Sequence, residues 1–187
     1  MSERGRQMRI TREWAMPSAD TLTVRPIKQW AKSLLNGLDV IVDPFARNCR
    51  MANWRNDLSP ETTAEFHMDA EEFLTMLKEE KKLQADAIIF DPPYSPRQIT
   101  EVYQSVGRKV TMEDTQSAVL YQRVRNAADA LLKPGGIVLS FGWNSVGMGL
   151  SRSYEMFDML VVCHGGAHND TICVAERKVL ADQIGWW

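Results

Sequence analysis

Apolar positions along the chain recur at two periods. In TVRPIKQWAKSLLNG, Trp30, Leu34 and Leu35 fall on one helical stripe, Pro26 suits the first turn and Gly37 the close. LDVIVDPF follows as a strand, Leu38 to Asp43, stopped by Pro44. NWRNDLSPET predicts a short strand ending near Asp57, with Ser59-Pro60 opening another helix. DAEEFLTMLKEEKKL is a clearer helix: Asp69 stands as N-cap, Glu72 at capping-box spacing, and Phe73, Met76 and Leu77 form the buried stripe. ADAIIF then runs as a strand into Asp91. Glu113 to Leu132 predicts a long helix ended by KPGG. IVLSFG is the next strand, and FDMLVVCH and TICVAERK are two more, joined by the turn residues GGAHND.

Strands alternating with helices predict a parallel α/β sheet. The last two strands, joined by a short turn, must be antiparallel. In such sheets ligands bind beyond the carboxyl ends of the strands. Asp43, Asp57 and Asp91 fall at such ends, and Asp69 begins the helix after another. Four acids along one edge suit a ligand bearing hydroxyls and amines, and oppose a phosphate.

Composition adds limits. The 187 residues fit one domain, with 44% hydrophobic and 25% charged residues. No apolar run approaches the roughly 20 residues that cross a bilayer, and MSERGRQMRI lacks the apolar stretch of a signal peptide. Cys49, Cys163 and Cys173 make no disulfide framework and suit a reducing compartment. The expectation is a cytoplasmic protein. The net charge of −2 does not announce a polyanionic partner. The charge is uneven, however: ten Lys/Arg against five Asp/Glu precede Asp57, and Arg97, Arg108 and Lys109 follow later. A solvated mixed surface and a basic face for phosphates account for this equally well.

The chemistry concentrates at Asp91-Pro92-Pro93-Tyr94. Two adjacent prolines fix φ and remove two backbone donors, so the backbone offers carbonyls alone. The Asp91 carboxylate is a further acceptor and Tyr94 adds a flat face. Rigid acceptors beside an aromatic ring suit a planar base with an exocyclic amine. Accepting from both N–H groups concentrates electron density on a nitrogen whose lone pair is otherwise delocalised. A plain tight turn is the competing account of these residues.

With this motif after an apolar strand, the chain resembles the amino-methyltransferases of DNA, which methylate adenine N6 or cytosine N4 from S-adenosylmethionine. The likeness runs from about Trp14 to Lys178 and is nearest to small phage and prophage adenine enzymes. It implies a Rossmann-like class I methyltransferase domain with a mostly parallel seven-stranded sheet, an antiparallel C-terminal hairpin strand and no separate target-recognition domain. It assigns Asp91, Pro92, Pro93 and Tyr94 to catalysis. WAMPSADTLTVRPI resembles the segment that touches the cofactor's methionine part, offering Met16, Pro17, Ser18 and Thr21. DPFARNC resembles the first-strand loop, offering Asp43, Phe45, Ala46, Arg47 and Asn48. NDLSPET places Asp57 at the ribose and Leu58 on the adenine of the cofactor; HMDA places Asp69, with Ala70, near the adenine amine. Arg47 and Cys49 stand where the family pattern has glycines, so either a side chain crowds the methionine moiety or Arg47 pairs with its carboxylate. The implied partner is DNA, with Arg97, Arg108 and Lys109 on its phosphates and the protein acting as monomer or homodimer. Base selection falls to the loops Ser95 to Thr111 and Trp143 to Ser153. Cytosine N4 methylation and a non-catalytic binding role are the alternatives.

Cys163, His164, His168 and Cys173 invite a zinc reading, but their spacing fits no strong pattern and a hairpin turn accounts for them.

Overall fold

The computed structural model describes residues 8–94, 96–107, 117–149, 152–166 and 168–179. Its strands are β1 (Arg9–Trp14), β2 (Ile41–Asp43), β3 (Trp54–Arg55), β4 (Ala85–Phe90), β5 (Leu132–Gly142), β6 (Tyr154–Cys163) and β7 (Thr171–Lys178). They form one seven-stranded sheet in the order β1-β6-β7-β5-β4-β2-β3. β7 runs antiparallel to both its neighbours, and the other pairings are parallel. The helices are α1 (Arg25–Leu35), α2 (Ala70–Glu79), α3 (Pro96–Ser105) and α4 (Ser117–Leu131).

β4 is apolar throughout because it is covered on both faces. Ala87 and Ile89 pack with Ile27, Trp30 and Leu35 of α1, while Ile88 and Phe90 pack with Phe73 and Leu77 of α2 and Val124 and Leu131 of α4. Successive strand residues point to opposite faces, so one six-residue strand serves both layers. The chain order reverses between β2 and β4, which lie side by side. Their carboxyl ends open a crevice at this switch point.

α1 carries Pro26 in its first turn, and Gly37 just beyond it adopts φ +81°. α2 starts at Asp69 as the spacing predicts, but the cap closes on the Glu71 N–H at 2.9 Å. The helix predicted from Ser59-Pro60 is absent: Asp57 Oδ1 accepts from the Ser59 N–H at 2.9 Å, and the segment turns instead. α4 ends at Leu131, with β5 starting at the next residue; the predicted helix start at Glu113 lies outside the described residues. Pro96–Ser105, expected as loop, is helix α3, with Ile99 and Tyr103 buried four residues apart.

β1 has no counterpart in the predicted elements. It lies at the sheet edge, parallel to β6, with every residue exposed. Arg9 Nε donates to Asp158 Oδ2 at 2.7 Å, and Trp30 Nε1 donates to Asp158 Oδ1 at 3.0 Å. Asp158, 4% exposed, thus joins β1, β6 and α1. Among the described residues, no helix is long and apolar enough to cross a membrane.

Candidate active site

A cleft of about 670 Å³ opens at the carboxyl ends of β2 and β4. Asp91 follows β4 directly and lines it with Pro92, Pro93 and Tyr94. Tyr94 donates its hydroxyl proton to Asp91 Oδ1. Thr21 Oγ1 lies 2.8 Å from the Tyr94 oxygen and 3.3 Å from Asp91 Oδ1. Asp91 Oδ2 and the Pro92 carbonyl have no partner among the described residues. Burial pushes the Asp91 carboxyl up to about 6, with the Tyr94 and Thr21 hydroxyls holding it back. Burial first, and then the neighbouring carboxylate, raises the Tyr94 phenol, so it remains a neutral donor near pH 7. Two contacts fix the turn: Tyr94 N–H donates to Gln98 Oε1 at 2.7 Å, and Tyr121 donates its hydroxyl to the Pro93 carbonyl.

The opposite wall carries carboxylates. Asp57 accepts from the Arg47 N–H at 3.0 Å and the Ser59 N–H at 2.9 Å. Asp69 accepts from the Glu71 N–H and, at 3.3 Å, from Tyr103. A carboxylate offers about four lone-pair sites, so Asp57, with two of them engaged, keeps capacity for a ligand. Phe45, Leu58 and Met68 supply apolar surface.

The sequence-predicted residues divide clearly. Thr21, Phe45, Arg47, Asn48, Asp57, Leu58, Asp69 and Ala70 line the cleft with Asp91–Tyr94. Asp43 does not: it is 1% exposed beneath the loop, where Oδ1 accepts from the Phe45 N–H at 3.0 Å and burial raises its carboxyl well above the usual range. Ala46 is buried too, donating its N–H to the Asn56 carbonyl at 2.8 Å. Met16 is 68% exposed, and Met16, Pro17 and Ser18 lie outside the lining, which Ala19 and Asp20 take up instead. The chain after β1 passes the cleft two residues later than expected. Arg97 is exposed and paired with Glu101 at 2.8 Å, one helical turn on. Arg108 and Lys109 lie outside the described residues.

Arg47 adopts φ +47°, a conformation glycine takes freely. The loop therefore keeps the glycine backbone without the glycine. Its side chain reaches two other lining residues: Nη1 donates to the Ala19 carbonyl at 2.9 Å and pairs with Asp20 at 3.0 Å. Cys49 is absent from the cleft lining and packs on the α1 core layer. Left-handed φ costs a non-glycine residue about 1–2 kcal/mol. Arg47→Gly and Arg47→Ala both lose the side-chain latch, but only Arg47→Ala keeps the strain. After the extra unfolded-chain entropy of glycine, Arg47→Gly is expected to be the more stable by about 0.5–1 kcal/mol in urea titrations. An Arg47→Ala protein of equal or greater stability contradicts the strained backbone.

Sequence reasoning missed Asn56, Gln98, Tyr103 and Tyr121, all in the lining. Gln98 and Tyr103 belong to α3, whose Pro start and i, i+4 spacing were available signals. Nothing in the order of residues ties Tyr121 to Pro93. In the hairpin, His164 has both ring nitrogens engaged, 2.8 Å from the Ala15 carbonyl and 2.8 Å from Thr171 Oγ1. No cluster of three or more His, Cys, Asp or Glu fit for a metal occurs among the described residues.

The sheet, its switch-point cleft and its one reversed strand define the Rossmann-like fold of class I methyltransferases. No family model and no curated protein matches the chain. Solved structures do. TrmN from Thermus thermophilus aligns over 83% of this chain and 49% of its own at 17% identity, with a TM-score of 0.52. SMU.776, assigned as a methyltransferase and complexed with SAH, aligns over 80% and 48% at 13% identity, TM-score 0.55. NSun6 from Pyrococcus horikoshii, solved with SFG, aligns over 76% and 48% at 15% identity, TM-score 0.51. The chain spans about half the length of these structures, and the likeness is one of fold.

Proposed function

We propose that the chain transfers a methyl group from S-adenosylmethionine to the exocyclic amine of adenine in DNA. The observation that carries this reading is the Asp91–Tyr94 turn at the switch point: acceptors held rigidly at the mouth of a cleft large enough for a nucleoside cofactor. The cleft's donor set fits that cofactor. Asp57 and Asp69 suit ribose hydroxyls and an adenine amine, and Phe45, Leu58 and Met68 suit its ring. The left-handed turn at Arg47 keeps the backbone close to the cleft. Solved structures of the same fold that hold SAH and SFG support this choice.

When bound, S-adenosylmethionine supplies an electrophilic methyl carbon, whose bond to sulfur breaks as the amine nitrogen bonds to it. The chain's own residues act on the amine. Asp91 Oδ2 and the Pro92 carbonyl accept its two N–H groups, turning the lone pair out of conjugation. Tyr94 holds Oδ1 and fixes the carboxylate. A carboxyl near 6 is mostly ionised at pH 7 yet close enough to neutrality to take the proton the nitrogen sheds. Orientation supplies much of the acceleration, and a flipped base is the form of adenine that reaches such a turn.

Nucleoside mass spectrometry after incubating unmethylated DNA with the protein and S-adenosylmethionine tests the reading. N6-methyladenine is expected. N4-methylcytosine keeps the chemistry and changes the base. Neither product, from protein that binds the cofactor by calorimetry, removes the proposal.

A further inference from the structure

The Asp91–Tyr94 turn is a wall with two sides. Beside the main cleft lies a recess of about 110 Å³. Pro92, Pro93, Tyr94 and Tyr121 line both spaces. The recess floor is built by Phe90 of β4 and Ser140 of β5, which are register partners in adjacent strands. Arg125 of α4 closes it from above.

Two polar groups here are buried without a hydrogen-bond partner among the described residues: Ser140 Oγ, on a residue 7% exposed, and Arg125 Nε. Native chains leave few such groups unmatched. The Arg125 guanidinium lies 5.5 Å from the Phe90 ring centroid and makes no ion pair among the described residues. A guanidinium carries donors and no acceptor, and its Nε–H is the unmatched one. Tyr94, Tyr121, Phe141 and Trp143 give the recess aromatic surface, with Trp143 edge-on to Tyr94 at 5.7 Å, and Asn144 adds a polar side chain. Flat aromatic surfaces with donors at one side suit the edge of a planar heterocycle.

The far wall is held in place. Met148 N–H donates to the buried Glu176 carboxylate at 2.7 Å, and a Cβ on Gly147 would sit 2.1 Å from Glu176 Oε2. The loop after β5 is thus seated on β7 through Glu176, with glycine required where the two touch.

We propose that this recess reads the ring edge of the methyl acceptor, with Arg125 Nε and Ser140 Oγ donating to its ring acceptor atoms while Asp91 and Pro92 hold the amine. The inference rests on the methyl-transfer reading above and adds the specificity-determining pair. A base gripped by its amine presents ring nitrogens at positions flanking that amine, and the donors line a recess that Pro92, Pro93 and Tyr94 of the same turn also line.

Arg125→Met and Ser140→Ala test it on the full chain. Ser140→Ala removes an unmatched polar group without adding one and is expected to fold with unchanged or higher Tm. Arg125→Met also removes the cation over Phe90 whose charge favours the buried Glu176 carboxylate, so a lower Tm is expected. Both variants are expected to keep wild-type affinity for S-adenosylmethionine by calorimetry. Each is expected to lower kcat/KM on DNA by about 10–100-fold. Oligonucleotides carrying 1-deazaadenine or 7-deazaadenine at the methylated site supply the readout that a structural role would not move. One analogue should lose a similar factor with the wild type and little more with the matching variant, the non-additivity of a broken contact. Variants that transfer as fast as wild type overturn the inference. So do variants whose losses multiply fully with both analogues, because the ring edge is then read elsewhere. Failure of the wild type to methylate any DNA base sinks the parent reading along with this one. A wild type that methylates adenine beside indifferent variants sinks this one alone.

Discussion

Asp91→Asn is expected to cut methyl transfer by about 10²–10³-fold while making the protein more stable at pH 8. The loss is of the size seen when one preorganised electrostatic group is removed from a reacting centre. Asparagine keeps an oxygen for the Tyr94 hydroxyl but cannot take a proton, and one of its two donors replaces an acceptor facing the amine. The gain in stability follows from the raised carboxyl, about 6 against an ordinary value near 3.8. Folding disfavours the ionised form. Below about pH 3 the group is mostly protonated whether folded or unfolded, and little penalty exists. As pH rises through the folded value, the unfolded chain gains from ionising and the folded chain is left behind. The penalty is complete above about pH 6, which is where asparagine removes it. A Tm increase of at least about 2–4 °C at pH 8, vanishing near pH 3, corresponds to the removal of about 1 kcal/mol in a chain of this length.

The same group sets the activity profile with the opposite sense. Transfer needs the ionised carboxylate, so wild-type kcat/KM should fall about tenfold per pH unit below pH 6. Acid favours the Asp91 contribution to folding and removes its contribution to chemistry. That opposition is the mark of a group held for function at a cost in stability. A flat wild-type profile from pH 8 to 5, or full transfer by a folded Asp91→Asn protein, would contradict the assignment.

How much of this was legible in the residues follows from where each signal arises. β4 and its motif were legible because a strand covered on both faces is apolar at every position, and because two prolines leave few other structures. α1 and α2 carried their stripes and stops locally. β1 was not legible: an edge strand exposed along its whole length shows no alternation, and its partner β6 lies some 150 positions away in sequence (Arg9 against Asp158). α3 carried local signals, Pro96 at its start and Ile99 with Tyr103 on one face, but the likeness to a recognition loop argued against reading them. The cleft's carboxylates were legible as strand-end acids, with Asp43 the exception. It has the same sequence context as Asp91 yet is sealed under Phe45, and only packing separates the two. Arg125 and Ser140 are each unremarkable along the chain. Their pairing exists because α4 lies over the β4–β5 seam.

Asn56 is the least legible residue with the most structural consequence. In NWRNDLSPET it reads as a turn residue at a strand end. In the fold it is 1% exposed and connects three segments. Its Nδ2 donates to the Pro44 carbonyl at 3.2 Å and to the Met68 carbonyl at 2.9 Å, and its Oδ1 accepts from the Met68 N–H at 3.1 Å. Its own backbone donates to the Asp43 carbonyl and accepts from Ala46. Pro44 and Met68 both line the cleft, so one side chain ties the segment after β2 to the segment before α2. Asn56→Leu preserves volume and strands two carbonyls and one N–H, each worth about 1–3 kcal/mol when buried unpaired. The expected loss is about 3–5 kcal/mol, or a fall in Tm of about 10 °C or more. Asn56→Asp should separate the polar contacts from the packing. It keeps the acceptor for Met68 and loses both donors. It also buries a charge on a residue whose backbone N–H donates to the carbonyl of Asp43, whose carboxyl burial already raises well above the usual range. Its deficit should therefore be greater at pH 8 than at pH 5, whereas that of Asn56→Leu should not follow this pH dependence. Urea titrations at the two pH values give both comparisons, and calorimetry with S-adenosylmethionine reads the cleft. An Asn56→Leu protein with unchanged stability and unchanged cofactor affinity would mean that the walls are set by the strands alone and that this side chain only fills space between them.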